Sequence, residues 1–206
     1  VLDEAKATTS PETRREFVSR ASPERNEGGR PLNYREALFL GIGDIASAVS
    51  QDEGPTTLIR MAIDILHDAM GYQRSLFLFR DVSVSRFRVR YATGRDAEHL
   101  LRNFWIPMRS QMSSVFHAAL DRDACIHIED ARDPKVAQHL PPWFKGLEES
   151  RSFVVLPIVT GKTILGAMYA DRAKVDTWST PEDLEMLVTL KNQIVMAVKA
   201  RQRAPT

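Results

Sequence analysis

Two apolar runs joined by a two-residue turn constrain the fold of this chain more than any other feature. The first run spans residues 153–159 and the second spans 164–170, with Gly161 and Lys162 between them. Runs without a polar face are typical of strands that are covered on both sides, and a short glycine turn joins such strands as a hairpin. The sequence therefore predicts a hairpin near the centre of a sheet that has a layer on each face.

Four further segments have strand character. The run 76–79 is apolar throughout, whereas the run 85–91 alternates, and we expect the two to pair as a hairpin around 81–83. The alternation predicts that apolar side chains face a core while arginines face solvent: Phe87, Val89 and Tyr91 inward, and Arg86, Arg88 and Arg90 outward. Short strands are predicted at 104–108 and 125–129, which makes about six strands in all.

Three segments repeat apolar residues every three or four positions, as amphipathic helices do. The first starts at Tyr34 and ends before 52–54, the second starts at Pro55 and ends before Gly71, and the third follows Thr180 and runs to about residue 203. The order of elements predicts an α+β fold. Its N- and C-terminal helices cover one face of an antiparallel sheet, and the irregular segment 104–150, with a short helix at 113–120, covers the other.

The domain organisation follows from where apolar residues occur. Residues 1–32 contain few of them, so we predict a flexible linker there, a single domain at 33–203 and a tail at 204–206. Because the chain begins at Val1 rather than Met, we expect it to be a fragment that follows an upstream regulatory domain.

Charge and composition exclude several classes of partner. The 28 basic and 27 acidic side chains leave a net charge of +1, which indicates neither a nucleic-acid nor a membrane partner. No run reaches the ~18 apolar residues of a membrane-spanning helix, and the single Cys125 rules out an internal disulfide. We therefore expect a cytoplasmic protein.

The loop 131–150 is too apolar to be a solvated connector, and its Trp143 and Phe144 suit either a lid over a ligand or a core beneath the loop. A pocket is predicted between the sheet and the segment 104–150. Its candidate lining residues are Phe79, Tyr91, Phe104, Phe116, His117, Ile128, Asp130, Trp143, Phe144 and Met168. Asp130 suits either contact with a ligand or capping of the following loop.

Catalytic motifs are absent from the sequence: it has no nucleophile elbow, phosphate-binding glycine loop or His-Glu-x-x-His helix. Cys125 and His127 share a strand face and could bind a metal together with His117 or His139, but they have no recognised zinc spacing. The alternative is a buried thiol beside a hydrogen-bonded histidine. We predict neither a metal site nor catalytic residues, and hence no enzyme. The arginines at 86, 88 and 90 are interpreted as a solvated strand face without interleaved aromatic residues.

Over residues 34–203 the chain resembles the GAF domain. The resemblance rests on the paired N-terminal helices and on the order of five segments, 71–79, 126–130, 155–161, 164–166 and 181–185. Segments 169–172 and 190–193 are similar to GAF domains that follow an HDOD domain in bacterial regulators. The resemblance implies a sensor or signal-transduction module, commonly a homodimer through its terminal helices.

The resemblance leaves the ligand and any cofactor open. Bilin-binding members attach the chromophore through a cysteine in a loop and helix region, whereas Cys125 opens a strand here. Free methionine sulfoxide reductases of this fold use several cysteines, and the Asn-Lys…Phe…Asp-Glu pattern of cyclic-nucleotide binders is not found. Two hypotheses follow: a ligand-binding sensor that signals through its terminal helices, or a ligand-free module for dimerisation and protein interaction.

Overall fold

The computed structural model describes residues 20–109, 114–147 and 149–203. In chain order the α-helices are α1 (Tyr34–Ser50), α2 (Pro55–Asp68), α3 (Ala97–Asn103), α4 (Val115–Arg122), α5 (Pro134–Ala137) and α6 (Pro181–Arg203), with a 3₁₀ helix at Pro142–Gly146. The strands are β1 (Arg74–Asp81), β2 (Arg86–Gly94), β3 (Trp105–Pro107), β4 (Ile126–Ile128), β5 (Ser152–Thr160) and β6 (Thr163–Arg172).

The six strands form one antiparallel sheet in the order β3-β2-β1-β6-β5-β4. Both predicted hairpins are present, and β6 lies at the centre, between β1 and β5. The prediction of an α+β fold with an antiparallel sheet of about six strands is confirmed. The predicted starts of the first, second and last helices also agree with the structure.

Two apolar cores lie on opposite faces of the sheet. The first is formed with α1, α2 and α6 and includes Leu38, Leu66 and Ile194, all fully buried. The second is formed with the segment between β2 and β5 and includes Phe116, Phe144 and Tyr169. Side chains of β5 alternate between the two cores, which explains why the run 153–159 within this strand has no polar residue.

Helix α3 was not predicted from the sequence, in which the chain after Gly94 reads as irregular. Leu100 alone of its seven residues is buried, so the segment has too few apolar positions for a helical period to be recognised. Its contacts with β2 hold it against the sheet. The loop 131–150 likewise contains two short helical turns, at Pro134–Ala137 and Pro142–Gly146.

Residues 20–33, which we call the strap, pack against the domain. Of the flexible linker predicted at 1–32, the described part lies against the domain in the structure, while 1–19 and 204–206 lie outside the described residues. Arg30 is 1% exposed and is ion-paired with Asp176 and Asp183. Composition could not reveal this because the strap is held mainly by charge pairing rather than by apolar burial.

Candidate functional site

A layer of aromatic rings separates the sheet from the segment that covers its second face. The ring of Trp143, in the 3₁₀ helix, lies edge-on to Phe104 at 5.5 Å, to Phe116 at 5.6 Å and to Tyr169 at 6.4 Å between centroids. Edge-to-face pairs at this spacing add to the stability that comes from burial alone. Trp143 is thus the centre of the layer and connects three separate elements.

Polar groups of β6 lie beneath this layer. The Tyr169 hydroxyl donates to Asp171 Oδ2 at 3.0 Å and lies 3.1 Å from Ser150 Oγ. Arg74 Nε donates to both carboxylate oxygens of Asp171, at 3.0 and 3.2 Å, and both side chains are buried. Burial raises the pKa of the Tyr169 hydroxyl well above its ordinary value, and the Asp171 charge adds to that shift. Burial also raises the pKa of Asp171, although Arg74 opposes the change.

The raised pKa of Tyr169 predicts a loss of stability at alkaline pH. A group whose pKa is raised on folding stabilises the protein below its unfolded pKa, about 10 for tyrosine, and this contribution falls as pH rises further. Denaturation at pH 9 to 11 should therefore show a steeper loss for the wild type than for Tyr169→Phe. Equal slopes for the two proteins would contradict the burial of this hydroxyl. The remaining slope in the variant should include Tyr72, whose pKa burial also raises.

The indole Nε1 of Trp143 is buried and has no hydrogen-bond partner among the described residues. A buried tryptophan N–H usually donates a hydrogen bond, and leaving it without an acceptor costs roughly 1–3 kcal/mol. The site therefore combines an aromatic surface with a donor that has no acceptor in the part of the chain described.

The structure brings together part of the predicted pocket. Phe104, Phe116, Trp143 and Phe144 form the aromatic layer, and Ile128 packs on the same side of the sheet. His117, on α4, contacts the ring of Phe116, but its Nε2 donates to the Pro107 carbonyl at 2.9 Å and its Nδ1 lies 2.8 Å from Ser114 Oγ. Its ring nitrogens are therefore occupied within the protein.

Three predicted pocket residues lie on the opposite face. Phe79, Tyr91 and Met168 pack in the first core, against the helices. The register between β1 and β2 shifts between Phe77 and Leu78, so Phe77 pairs with Tyr91 and Leu78 with Val89. This bulge turns Tyr91 away from Phe87 and Val89, and the prediction that all three face one core is wrong.

Asp130 is engaged within the protein. It accepts hydrogen bonds from Arg151 Nε at 2.6 Å and Arg151 Nη2 at 2.8 Å, and from the Arg132 amide at 2.9 Å. The hydrogen bonds from Arg151 and Arg132 lower the pKa of Asp130 to about 2. In this arrangement the carboxylate caps the turn that follows β4.

The candidate metal ligands are dispersed. His127 Nε2 lies 3.1 Å from Asp176 Oδ2, whereas Cys125 packs beside the first core. In the part of the chain that the structure describes, no three His, Cys, Asp or Glu side chains are grouped closely enough to hold a metal ion. Burial raises the pKa of the Cys125 thiol, which lowers the fraction of thiolate available for nucleophilic chemistry.

The arginine row on β2 has an aromatic neighbour that the sequence did not reveal. Strand β3 pairs with β2 and places Trp105 opposite Arg88, and the guanidinium of Arg86 lies 3.7 Å from the centroid of the Trp105 ring. No aromatic residue was predicted to be interleaved with this row, and the structure adds one from the neighbouring strand. The arginines themselves are exposed, as predicted.

Comparison with known families decides the identity of the fold. The model of the GAF domain family matches residues 54–198, which is more than half of the chain. This chain belongs to the GAF domain family. Among curated protein sequences, none matches it significantly.

Several solved structures superimpose on most of the chain. One is the GAF domain of an Acinetobacter phosphoenolpyruvate-protein phosphotransferase (15% identity, TM-score 0.61), which covers 82% of this chain and 96% of its own. Another is its Coxiella burnetii counterpart (13%, TM-score 0.62), with 80% and 94% covered. A third is the free methionine-R-sulfoxide reductase of Neisseria meningitidis in complex with its substrate (19%, TM-score 0.59), with 83% and 92% covered. At these identities the likeness shows the fold alone.

Within this GAF domain, sequence reasoning missed Tyr169 and Asp171 as site residues. They are two positions apart on a strand and so share a face, and a tyrosine and a carboxylate in an otherwise apolar run were a usable signal. Arg30 carried no comparable signal, because its partners lie about 150 positions away. No helix of the described residues is long and apolar enough to cross a membrane.

Proposed function

We propose that this GAF domain is a signal-transduction sensor that binds a small ligand between the sheet and the segment 104–150. The ligand would contact the ring of Trp143 and accept a hydrogen bond from its Nε1. Binding would then stabilise the covering segment and bias the terminal helices, which would relay the signal to other domains of a regulator. An upstream HDOD domain remains the predicted neighbour.

The indole N–H of Trp143, which has no hydrogen-bond partner among the residues that the structure describes, carries this proposal. The Trp143 ring contacts the rings of Phe104, Phe116 and Tyr169. A planar ligand that took the place of one of these contacts would still be surrounded by aromatic rings. An acceptor atom on the ligand would remove the cost of the unsatisfied donor, and specificity arises where a buried polar group is satisfied only by the correct ligand.

A sensor is favoured over a thiol-dependent reductase. The chain has one cysteine, Cys125, and burial raises the pKa of its thiol. A second cysteine to resolve an oxidised thiol is not available within this sequence. The similarity to a reductase therefore concerns the fold of this chain and does not extend to thiol chemistry.

A thermal-shift screen against cyclic nucleotides, nucleobases, amino acids, haem and divalent metals tests the proposal. A ligand bound only by the folded state, at a hundredfold excess over its Kd, should add roughly 2.7 kcal/mol of stability. Trp143→Phe keeps a ring but removes the N–H. It should weaken binding about tenfold, so that the stabilisation at the same ligand concentration falls to about half.

Trp105→Phe is the matched control, since Trp105 lies on the edge strand β3 and is 43% exposed. It should leave the ligand-induced shift unchanged. A shift that is the same in both variants would place the ligand away from Trp143 and would refute this site.

A ligand-free dimerisation module is the second candidate. Phe39 of α1 and Met196 of α6 are 69% and 68% exposed, on two helices that contact each other. The aromatic layer around Trp143 could then be core rather than lid. A screen without any shift, together with a melting temperature that rises with protein concentration, would favour this function.

A further inference from the structure

The strap contains a buried arginine in an otherwise polar and largely exposed segment. Pro23, Glu24, Arg25 and Glu27 are exposed, whereas Arg30 is 1% exposed. Its Nη2 donates to Asp176 Oδ1 at 2.8 Å and to Oδ2 at 2.9 Å, and its Nη1 donates to Asp183 Oδ2 at 3.4 Å. One side chain thus joins the strap to the loop before α6 and to the first turn of α6.

The two carboxylates, which we call the socket, have charged partners of their own. Asp176 also accepts from Arg172 Nη1 at 2.8 Å and from Ser179 Oγ at 2.8 Å. Asp183 also accepts from Arg35 Nε at 2.9 Å, and both the Tyr34 hydroxyl and the Thr180 amide donate to it at 3.0 Å. The socket is therefore held in place by the domain and does not require Arg30 for its assembly.

The pKa values of the two socket carboxylates are both lowered. Burial alone would raise the pKa of Asp176, but the hydrogen bond from His127 and the charges of Arg172 and Arg30 outweigh it and hold that pKa well below its ordinary value. For Asp183, burial is likewise outweighed, in this case by hydrogen bonds from the Thr180 amide, Arg35 and Tyr34. Both carboxylates remain charged partners for a guanidinium.

The strap also contacts the domain through small groups: Ala21 packs beside the first core, and a Cβ atom at Gly28 would lie 2.8 Å from Trp178 Cδ1. Arg20 pairs with Asp44, with both side chains more than a third exposed, and Lys174 Nζ donates to the Glu27 carbonyl at 2.9 Å. The strap passes close over Gly71, where a Cβ atom would lie 2.7 Å from the Gly29 carbonyl oxygen. Arg30 thus provides the buried ion pairs of the strap, and the chain at Gly28 and Gly29 packs closely beside it.

The socket borders two regions of the domain. The Asp176 amide donates to the Glu129 carbonyl at 2.9 Å, at the end of β4, where the chain enters the loop 131–150. Asp183 lies in the first turn of α6, the last helix of the domain. A contact at the socket therefore touches the incoming chain, the strand that leads into the covering loop and the outgoing helix.

We propose that Arg30 is a latch: the strap alternates between a docked state, with Arg30 in the socket, and a released state in which the socket stays formed. A guanidinium that is buried without its carboxylates has lost its hydration and gained no counter-charge, so Arg30 is stable either in the socket or in water but not between them. Docking fixes the direction in which the preceding chain leaves relative to α6. This inference does not depend on ligand binding.

Hydrogen exchange of the ligand-free chain, followed by mass spectrometry, tests the latch. In the wild type the amides of Asn26, Gly29 and Leu32 donate to carbonyls within the strap. Arg30→Ala should speed exchange of peptides that cover 24–33 by about tenfold or more, while peptides of β1, β5 and β6 keep wild-type protection. Arg30→Lys retains the charge, but a single ammonium group cannot replace the two guanidinium nitrogens that donate to Asp176 and Asp183. This variant should exchange at an intermediate rate.

Arg25→Ala is the matched control, because Arg25 is an exposed arginine of the same strap and should leave exchange unchanged. Two results would overturn the proposal. Wild-type protection of 24–33 in Arg30→Ala would mean that other contacts hold the strap. Loss of protection throughout the sheet in both Arg30 variants would mean that Arg30 is part of the folding core rather than a latch.

Discussion

Replacing Gly166 with alanine is expected to destabilise the domain by about 3 kcal/mol or more, the upper end of the cost of overpacking a core. Gly166 lies in the central strand β6, paired with Phe79 on one side and Ile158 on the other. A Cβ atom at this position would overlap the Leu78 carbonyl oxygen, which belongs to the backbone of β1 and cannot rotate away. The strands would have to separate where the two cores meet the sheet.

Chemical denaturation followed by circular dichroism measures this effect. Gly43→Ala is the control, because a Cβ atom there meets nothing within 4 Å on the exposed side of α1. That change should stabilise the domain by up to about 1 kcal/mol, since alanine is the better helix former. A Gly166→Ala protein as stable as the wild type would contradict the close approach of β1 and β6 at this position.

Asp176→Ala is expected to cost about 3–5 kcal/mol, the range for removing one partner of a buried ion pair. Asp176 accepts from Arg30 and Arg172, which are 1% and 4% exposed, and its loss would leave both guanidinium groups short of their main counter-ion. The loop before α6 would also lose the acceptor of the Trp178 and Ser179 amides.

Asp44→Ala provides the comparison for this second variant, because the Asp44–Arg20 pair is more than a third exposed on both sides. Exposed pairs contribute about 0–1 kcal/mol, so this variant should be nearly neutral. If the two aspartate variants lose equal stability, the buried network does not hold the loop as described.

The effect of Asp176 should also depend on pH. Its folded pKa lies below the ordinary value, so its contribution is fully present above the unfolded pKa of about 3.9 and is lost as pH falls towards the folded pKa. The difference in stability between wild type and Asp176→Ala should therefore shrink below about pH 4. A difference that stays constant down to pH 2 would contradict the depressed pKa.

The aromatic layer illustrates how far prediction of the site could go. Trp143 and Phe144 were identifiable because a loop rich in large apolar groups must bury them. Phe79 and Met168 were placed on the wrong face, since in strands buried on both sides the pattern does not say which residue faces which layer. Tyr91 was misplaced by a bulge that only the pairing of β1 with β2 reveals.

Local chemistry was sufficient for much of the architecture. The apolar runs of β5 and β6, the alternation of β2, the helix start at Thr180-Pro181 and the glycine turn at Gly161 each depend on neighbouring residues, and together they determined an antiparallel sheet with terminal helices. The order of these elements was also enough to indicate the GAF family, which the family comparison confirmed.

Contacts between distant residues were decided only by the tertiary structure. The partners of Arg30 follow it by 146 and 153 positions, and the Trp105–Arg86 contact depends on an edge strand of three residues. Local sequence patterns do not reveal such pairs. An ion pair or a ring contact needs only that two complementary groups meet in space, and it requires no repeating pattern in the residues between them. By itself the sequence determined which elements form, whereas the tertiary structure decided which buried charges and rings meet.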